Sequence, residues 1–165
     1  MKLIISFITT LLILILSDIA IFTEDVIVKD IKGKEVNLQN IKITKDTVMI
    51  FVWCKTCGSC IKCLDYYKAR KRYQNYQILA IAITKGDSIE TEKTIINKHH
   101  WTFQMYFDNK QKLAKYMSKK GYFKFKPRKK TEEIGYYGFP QRYMFVKNKF
   151  LCNGCDKYAN PYSLK

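Results

Sequence analysis

The feature that most constrains the fold of this chain is an apolar segment that runs directly into a cluster of cysteines. Residues 47–53 read TVMIFVW, an unbroken run of β-forming side chains that suits a strand buried on both faces. Four cysteines follow at every third position: Cys54, Cys57, Cys60 and Cys63. From Ser59 onward apolar residues recur at helical spacing, so the helix begins inside the cluster. The sequence therefore predicts a strand, a short cysteine-bearing turn and a helix.

The rest of the chain alternates strand and helix patterns. A hairpin is predicted around Gly33, further strands over residues 76–84 and 102–108, and a last strand over 142–150 that runs into a turn. One helix is predicted after an Asp87–Glu90 capping pair, and another stops at Gly121. Strands alternating with helices indicate an α/β fold with a mostly parallel sheet covered by helices, and 165 residues suit one domain.

The first residues have the layout of an export signal. One lysine precedes an apolar run over residues 3–16, but Asp18 stands where a cleavage site requires a small residue, so a cleaved signal peptide and an uncleaved anchor both stay open. A buried N-terminal helix or strand is the remaining alternative. We expect residues 1–22 to be signal peptide or membrane anchor and residues 23–165 to form one domain outside the cytoplasm, in the periplasm or cell envelope. Six cysteines fit an oxidising compartment.

The net charge of +16 admits nucleic acid, an anionic membrane face or acidic proteins as partners. Export argues against nucleic acid, and lysine is common throughout the chain. Residues 117–133 interleave basic and aromatic side chains. They read as a solvated loop, with selection of acidic clients or contact with anionic lipid as the alternative.

The placement of the cysteines gives two of them distinct chemistry. Cys57 is predicted at the helix N-terminus, where free backbone N–H groups and the helix dipole favour a thiolate over a thiol. Cys60 lies one turn inside the helix and is close enough to form a small disulfide ring. Cys57 is therefore the predicted nucleophile and Cys60 the residue that resolves a mixed disulfide, with no cofactor required.

These residues carry a family resemblance. The segment FVWCKTCGSC resembles the active-site segment of the thioredoxin superfamily and is most similar to its exported TlpA and ResA branch, with Trp53 four residues before Cys57. The segment YGFPQRYMFV resembles the loop in which that superfamily places a cis-proline, which identifies Pro140. The resemblance implies a thioredoxin-like fold, with a central mixed β-sheet flanked by helices and an N-terminal β-hairpin.

The resemblance also implies a function. The chain is expected to be a thiol-disulfide oxidoreductase that exchanges disulfides with client proteins through Cys57 and Cys60, with Pro140 in the catalytic site. Trp53 and Phe139 would bind the substrate, Phe139 through its main chain. The branch favours reduction of clients, with electrons from a membrane-bound donor. Phe51 stands where thioredoxins have a buried carboxylate, so water or another base must serve as the proton relay.

Metal binding is the alternative function. A module that binds or delivers zinc or copper could use the four clustered cysteines or the pair Cys152 and Cys155. The spacing also resembles a ferredoxin run, but Leu64 follows the last cysteine where that run has proline. His99 and His100 are expected at the surface of a helix end. A non-catalytic binding domain stabilised by disulfides is a third reading.

The remaining four cysteines keep several roles open. Cys54 and Cys63 are read as buried free thiols, a structural disulfide or a second relay pair. Cys152 and Cys155 flank an Asn-Gly pair that favours a tight hairpin turn, and they are read as a local disulfide or a second redox pair.

Overall fold

The fold is built on a mixed β-sheet. The structure, a computed structural model, describes residues 20–84, 86, 89–123 and 139–154. The strands are β1 (Ile27–Asp30), β2 (Glu35–Asn37), β3 (Thr47–Trp53), β4 (Tyr76–Ile83), β5 (Gln104–Asp108), β6 (Gln141–Val146) and β7 (Lys149–Asn153). The helices are α1 (Gly58–Ala69), α2 (Glu90–His99) and α3 (Lys112–Lys119), and two short 3₁₀ helices span Leu38–Asn40 and Lys71–Asn75.

The seven described strands lie in the order β2-β1-β5-β4-β3-β6-β7. β3, β4 and β5 are parallel at the centre, whereas β1 pairs antiparallel with β5, and β6 with β3. The hairpins β1–β2 and β6–β7 close the two edges. This arrangement confirms the predicted α/β class, the mixed sheet and the N-terminal hairpin, in which Gly33 takes a φ of 82° that favours glycine. The expectation of a mostly parallel sheet was wrong, because four of the six pairings among the described strands are antiparallel.

The two faces of β3 bury two separate apolar layers. Alternate side chains Met49, Phe51 and Trp53 pack with residues of α1 and α2. The intervening side chains Val48, Ile50 and Val52 pack with α3 and the segment before β1. Six of its seven residues, all but Thr47, are therefore buried, which is why the segment reads as a continuous apolar run rather than an alternating one.

The packed part of the chain begins before Thr23, where the sequence placed the boundary. Ile21 and Phe22 are buried in the α3 layer. The Tyr116 hydroxyl donates to the Ile21 carbonyl at 3.1 Å and accepts from the Thr23 N–H at 3.2 Å. Residues 1–19, which carry most of the predicted leader, lie outside the described residues. Within the described ranges, no helix has the length and apolarity to cross a membrane.

Two local predictions were wrong. α2 begins at Glu90 and its N-cap, Ile89, makes no side-chain capping bond, so Glu90 is the first helical residue and not the third residue of a capping box; Asp87 lies outside the described residues. The β6–β7 turn is at Lys147 and Asn148, both with positive φ as a tight hairpin turn requires. Cys152 and Asn153 lie within β7, whose pairing with β6 extends to Asn153, so the chain is still in a strand where the Asn-Gly turn was expected to begin; Cys155 lies outside the described residues.

A buried hydroxyl in this core gives a stability test. The Tyr143 hydroxyl has no hydrogen-bond partner among the described residues, and burial raises the pKa of Tyr143. We expect Tyr143→Phe to raise the free energy of unfolding by about 1 kcal/mol, because an unpaired buried polar group is removed. Urea unfolding followed by tryptophan fluorescence measures the change.

Tyr116→Phe is the matched control, because the same substitution there removes a hydroxyl that is hydrogen-bonded twice. It should lower the free energy of unfolding by about 1–2 kcal/mol. A loss of stability in both variants would show that the Tyr143 hydroxyl is satisfied in solution.

Candidate active site

The cysteine cluster lies in the turn between β3 and α1. β3 ends at Trp53 and α1 begins at Gly58, so residues 54–57 form the connection. The Cys57 N–H donates to the Cys54 carbonyl at 3.0 Å, which closes this connection as a β-turn. The helix therefore begins inside the cluster, as predicted.

Cys57 is the N-cap residue of α1. Its sulfur accepts a hydrogen bond from the Cys60 N–H at 3.2 Å, and its carbonyl accepts from the Ile61 N–H at 3.2 Å. The Ser59 hydroxyl lies 3.3 Å from the same sulfur. Backbone N–H groups at a helix N-terminus stabilise negative charge, so the site suits a thiolate when the cysteine is reduced.

Cys57 and Cys60 form a disulfide in this structure, with their Cα atoms 5.2 Å apart. Cys57 is partly exposed, whereas Cys60 is 0% exposed and belongs to the core layer under α1. An attacking sulfur can therefore reach the outer cysteine and not the inner one. This is the arrangement that the sequence predicted for a nucleophile and its resolving partner.

Pro140 lies at the same end of the strands as the cysteine turn. Gln141, the first residue of β6, pairs with Val52 near the end of β3, so the residues before Gln141 continue alongside the start of the turn. The Phe139–Pro140 peptide bond is cis, as predicted. Phe139 and Pro140 are both partly exposed, and Phe139 packs against both core layers.

Trp53 lies beneath the turn and not on its surface. The side chain is 0% exposed and packs edge-on against Trp101, with ring centroids 5.4 Å apart. The Trp101 Nε1–H donates to the Asp65 carboxylate at 2.8 Å, and His99 Nδ1 lies 3.0 Å from the same carboxylate. This burial leaves no indole surface of Trp53 for a substrate to contact, so its structural position is that of a support.

The position of Phe51 carries no carboxylate, as the sequence showed, and its ring packs edge-on against Tyr67 in the core. The buried carboxylate that does approach the turn belongs to Glu92 of α2. Its side chain is 2% exposed and lies 3.8 Å from the Nζ of Lys55, the residue after Cys54. Sequence reasoning missed this pair, since an acidic residue in the first turn of a helix is explained by the helix dipole alone.

The cysteines outside the Cys57–Cys60 disulfide differ in how deeply they are buried. Cys54 is a partly exposed thiol whose sulfur lies 3.5 Å from the Thr56 hydroxyl, and Cys63 is buried; neither belongs to a disulfide. A structural disulfide between these two is therefore not formed. Cys152 is disulfide-bonded, and Cys155 lies outside the described residues.

The side chains that could serve as metal ligands do not form a cluster in the described residues. In the part of the chain that the structure describes, no group of three or more His, Cys, Asp or Glu side chains is arranged to hold a metal ion. His99 is partly buried against Asp65 and Trp101, which corrects the expectation of a surface residue, while His100 is exposed at the C-terminus of α2. The basic segment within residues 117–133 lies mostly outside the described residues.

Comparison with known proteins agrees with this geometry. The sequence profile described as the AhpC/TSA family matches residues 22–149, which is most of the chain. No curated protein gives a significant sequence match.

Solved structures share the fold. An uncharacterized thioredoxin-like protein from Porphyromonas gingivalis superposes with a TM-score of 0.55 at 17% identity, covering 79% of this chain and 77% of the other. The thioredoxin domain of a thiol-disulfide oxidoreductase from Bacteroides vulgatus gives 0.54 at 17% identity, covering 79% and 84%. A protein described as thiol:disulfide interchange protein DsbE, from Chlorobium tepidum, gives 0.52 at 16% identity, covering 79% of each chain. These similarities establish a thioredoxin-like fold.

The ion pair beside the turn yields a second stability test. We expect Lys55→Gln to lower the free energy of unfolding of the oxidised protein by about 1 kcal/mol, because it leaves the buried Glu92 carboxylate without the nearby ammonium group. The half-exposed lysine keeps the effect small. The double variant Lys55→Gln/Glu92→Gln should recover part of the loss, because the buried charge is removed as well.

Lys93→Gln is the control, since Lys93 pairs with the exposed Glu90 at 2.8 Å on the surface of α2. Its effect in the same urea titrations should stay below about 0.5 kcal/mol. Equal losses in the Lys55 single variant and the double variant would contradict a coupling between Lys55 and Glu92.

Proposed function

We propose that this chain, which belongs to the AhpC/TSA family, exchanges disulfides with client proteins through Cys57 and Cys60. Family, fold and the Cys57–Cys60 disulfide together are those of a thioredoxin-like oxidoreductase. The observation that carries the proposal is the disulfide at the N-terminus of α1, with a partly exposed outer sulfur and a buried inner one. This geometry gives a client access to the Cys57 sulfur and leaves the buried Cys60 sulfur to resolve the mixed disulfide.

The proposed reduction proceeds in two exchanges. In the reduced protein the Cys57 thiolate, stabilised by the Cys60 N–H, attacks one sulfur of a client disulfide, and the other client sulfur leaves as a thiolate. Cys60 then attacks the Cys57 sulfur, the second client sulfur leaves, and the Cys57–Cys60 disulfide forms. Two electrons pass to the client, and the structure corresponds to the oxidised product. The reverse sequence would oxidise client thiols.

The Cys60 thiol must lose its proton before the second exchange. Phe51 offers no base, and Cys60 is buried. We assign the proton to the client thiolate released in the first exchange or to water that enters beside Cys57. This assignment keeps the proton balance without a buried carboxylate on β3.

Client contacts are assigned to the rim of the turn. Phe139 and Pro140 are partly exposed at the end of the strands where the cysteine turn lies, which supports binding of an extended client segment there. We give Trp53 a supporting role in place of the direct contact expected from the sequence, because its indole is fully buried.

The sequence and the resemblance support the proposed location and direction of exchange. An apolar leader over residues 3–16 and six cysteines support export, with residues 1–22 as signal peptide or membrane tether. The likeness to the TlpA and ResA branch supports a reductant in the periplasm or cell envelope that receives electrons from a membrane-bound donor. One structural neighbour is itself described as a thiol:disulfide interchange protein.

Insulin reduction with dithiothreitol as electron source tests this function. We expect Cys57→Ser to lose at least about a hundredfold in rate over the uncatalysed reaction, because no other described cysteine both caps a helix N-terminus and is partly exposed. Cys63→Ser is the matched control, since Cys63 is buried on the same helix and outside the disulfide, and its loss should leave the rate nearly unchanged.

Metal analysis of the same wild-type sample tests the alternative function. Stoichiometric zinc or copper with no insulin reduction would replace the oxidoreductase by a metal-binding module. Equal insulin reduction by wild type and Cys57→Ser would also overturn the proposal.

A further inference from the structure

The cysteine turn contains two overlapping pairs that share Cys57. Cys57 and Cys60 are three residues apart and form the disulfide, with Cα atoms separated by 5.2 Å. Cys54 and Cys57 are also three residues apart, and the hydrogen bond from the Cys57 N–H to the Cys54 carbonyl closes them into a β-turn. The outer Cα atoms of a β-turn lie within about 7 Å, and disulfides span Cα separations of about 4.4–6.8 Å. The backbone therefore holds Cys54 within reach of Cys57.

The Cys54 sulfur is also chemically available. It lies outside any disulfide and is partly exposed, unlike Cys63, which is only 2% exposed in the core. The Thr56 hydroxyl, 3.5 Å from the Cys54 sulfur, can donate a hydrogen bond to a thiolate. The Lys55–Glu92 ion pair holds the same turn against α2.

We propose that Cys54 is a second resolving cysteine for Cys57, an inference that rests on the proposed function. In a mixed disulfide between Cys57 and a client, the Cys54 thiolate attacks the Cys57 sulfur, the bond from Cys57 to the client breaks, and the client sulfur leaves as a thiolate. A Cys54–Cys57 disulfide forms, and the client receives the same two electrons that resolution by Cys60 would supply. No further oxidant or reductant is needed.

The two disulfides interconvert by a redox-neutral exchange. The Cys60 thiolate attacks the Cys57 sulfur of a Cys54–Cys57 disulfide, and the Cys54 thiolate leaves, which gives the Cys57–Cys60 disulfide of the structure. A client bound to Cys57 therefore has two routes of release. One consequence is that Cys60→Ser alone does not trap the mixed disulfide, because Cys54 still resolves it.

Disulfide mapping tests the alternative pair without any client. Full-length Cys60→Ser is oxidised with excess oxidised glutathione, free thiols are alkylated, and the protein is digested with trypsin. Cleavage after Lys45, Lys55 and Lys62 places Cys54 in peptide 46–55 and Cys57 in peptide 56–62, with Cys63 in the next peptide. A Cys54–Cys57 disulfide therefore links two peptides that a Cys57–Cys60 disulfide leaves separate.

We expect the linked peptides 46–55 and 56–62 as the main disulfide species of oxidised Cys60→Ser, and their absence from Cys54→Ser/Cys60→Ser. Cys60→Ser/Cys63→Ser is the matched control and should retain the link. Oxidised Cys60→Ser in which Cys54 stays alkylated, or in which Cys57 carries only glutathione, would overturn the proposal. Thermal unfolding of each variant identifies any that fail to fold, and Cys54→Ala then replaces the serine.

Kinetics with insulin separates this inference from the proposed function. The mixed disulfide with insulin should persist at least about tenfold longer in Cys54→Ser/Cys60→Ser than in Cys60→Ser, since an intramolecular thiol is lost. If wild type reduces insulin but both variants trap it equally, Cys54 has no resolving role and the proposed function stands. If the linked peptides form but wild type reduces no insulin, the proposed client reduction fails and the exchange between Cys54 and Cys57 stands.

Discussion

The position of the reactive sulfur depends on the burial of β3 on both faces and along both edges. Every residue of the strand from Thr47 to Trp53 is paired with β4, and β6 pairs along nearly its whole length on the other side. Helices cover the two faces, so the strand can neither slip nor twist without exposing apolar side chains on one of them. The chain therefore leaves the core at a fixed point, one residue before Cys54, and the turn that follows inherits that position.

A set of contacts from α1 to the end of α2 fixes the helix that carries the disulfide. Asp65 accepts from the Trp101 indole and lies against His99, and the Lys68 ammonium donates to the His99 carbonyl at 2.9 Å. Trp101 in turn packs edge-on against Trp53 at the end of β3. These contacts couple the rotation of α1 to the end of the strand, so the first helical turn presents Cys57 outward and Cys60 inward. The chemistry at the N-terminus of α1 thus relies on contacts made two to three turns along the helix.

Much of this arrangement could be predicted because the patterns that determine it lie within short stretches of the sequence. The apolar run of β3 and the helical spacing after Ser59 fixed where the helix starts, and the resemblance supplied the cis peptide bond before Pro140. The features that the sequence does not reveal depend on contacts between residues that are far apart in the chain. Hydrophobicity alone does not distinguish a leader from a core, and Ile21 and Phe22, at the end of the predicted leader, pack with α3. Likewise nothing near Glu92 in the sequence indicates that it faces Lys55.

The four clustered cysteines differ in position and burial because they are spaced three residues apart, while the helix repeats about every 3.6 residues. Three residues advance a helix by about 300°, so the side chains of Cys57, Cys60 and Cys63 shift around α1 by about 60° at each step while moving along its axis. Burial follows this course, from a partly exposed Cys57 to Cys60 and Cys63, both buried in the core. Cys54 extends the same spacing in the opposite direction, out of the helix and into the turn. In the proposed exchange Cys57 can therefore react with Cys54 in the turn or with the buried Cys60 beneath it, while Cys63 lies one turn further along the helix in the core.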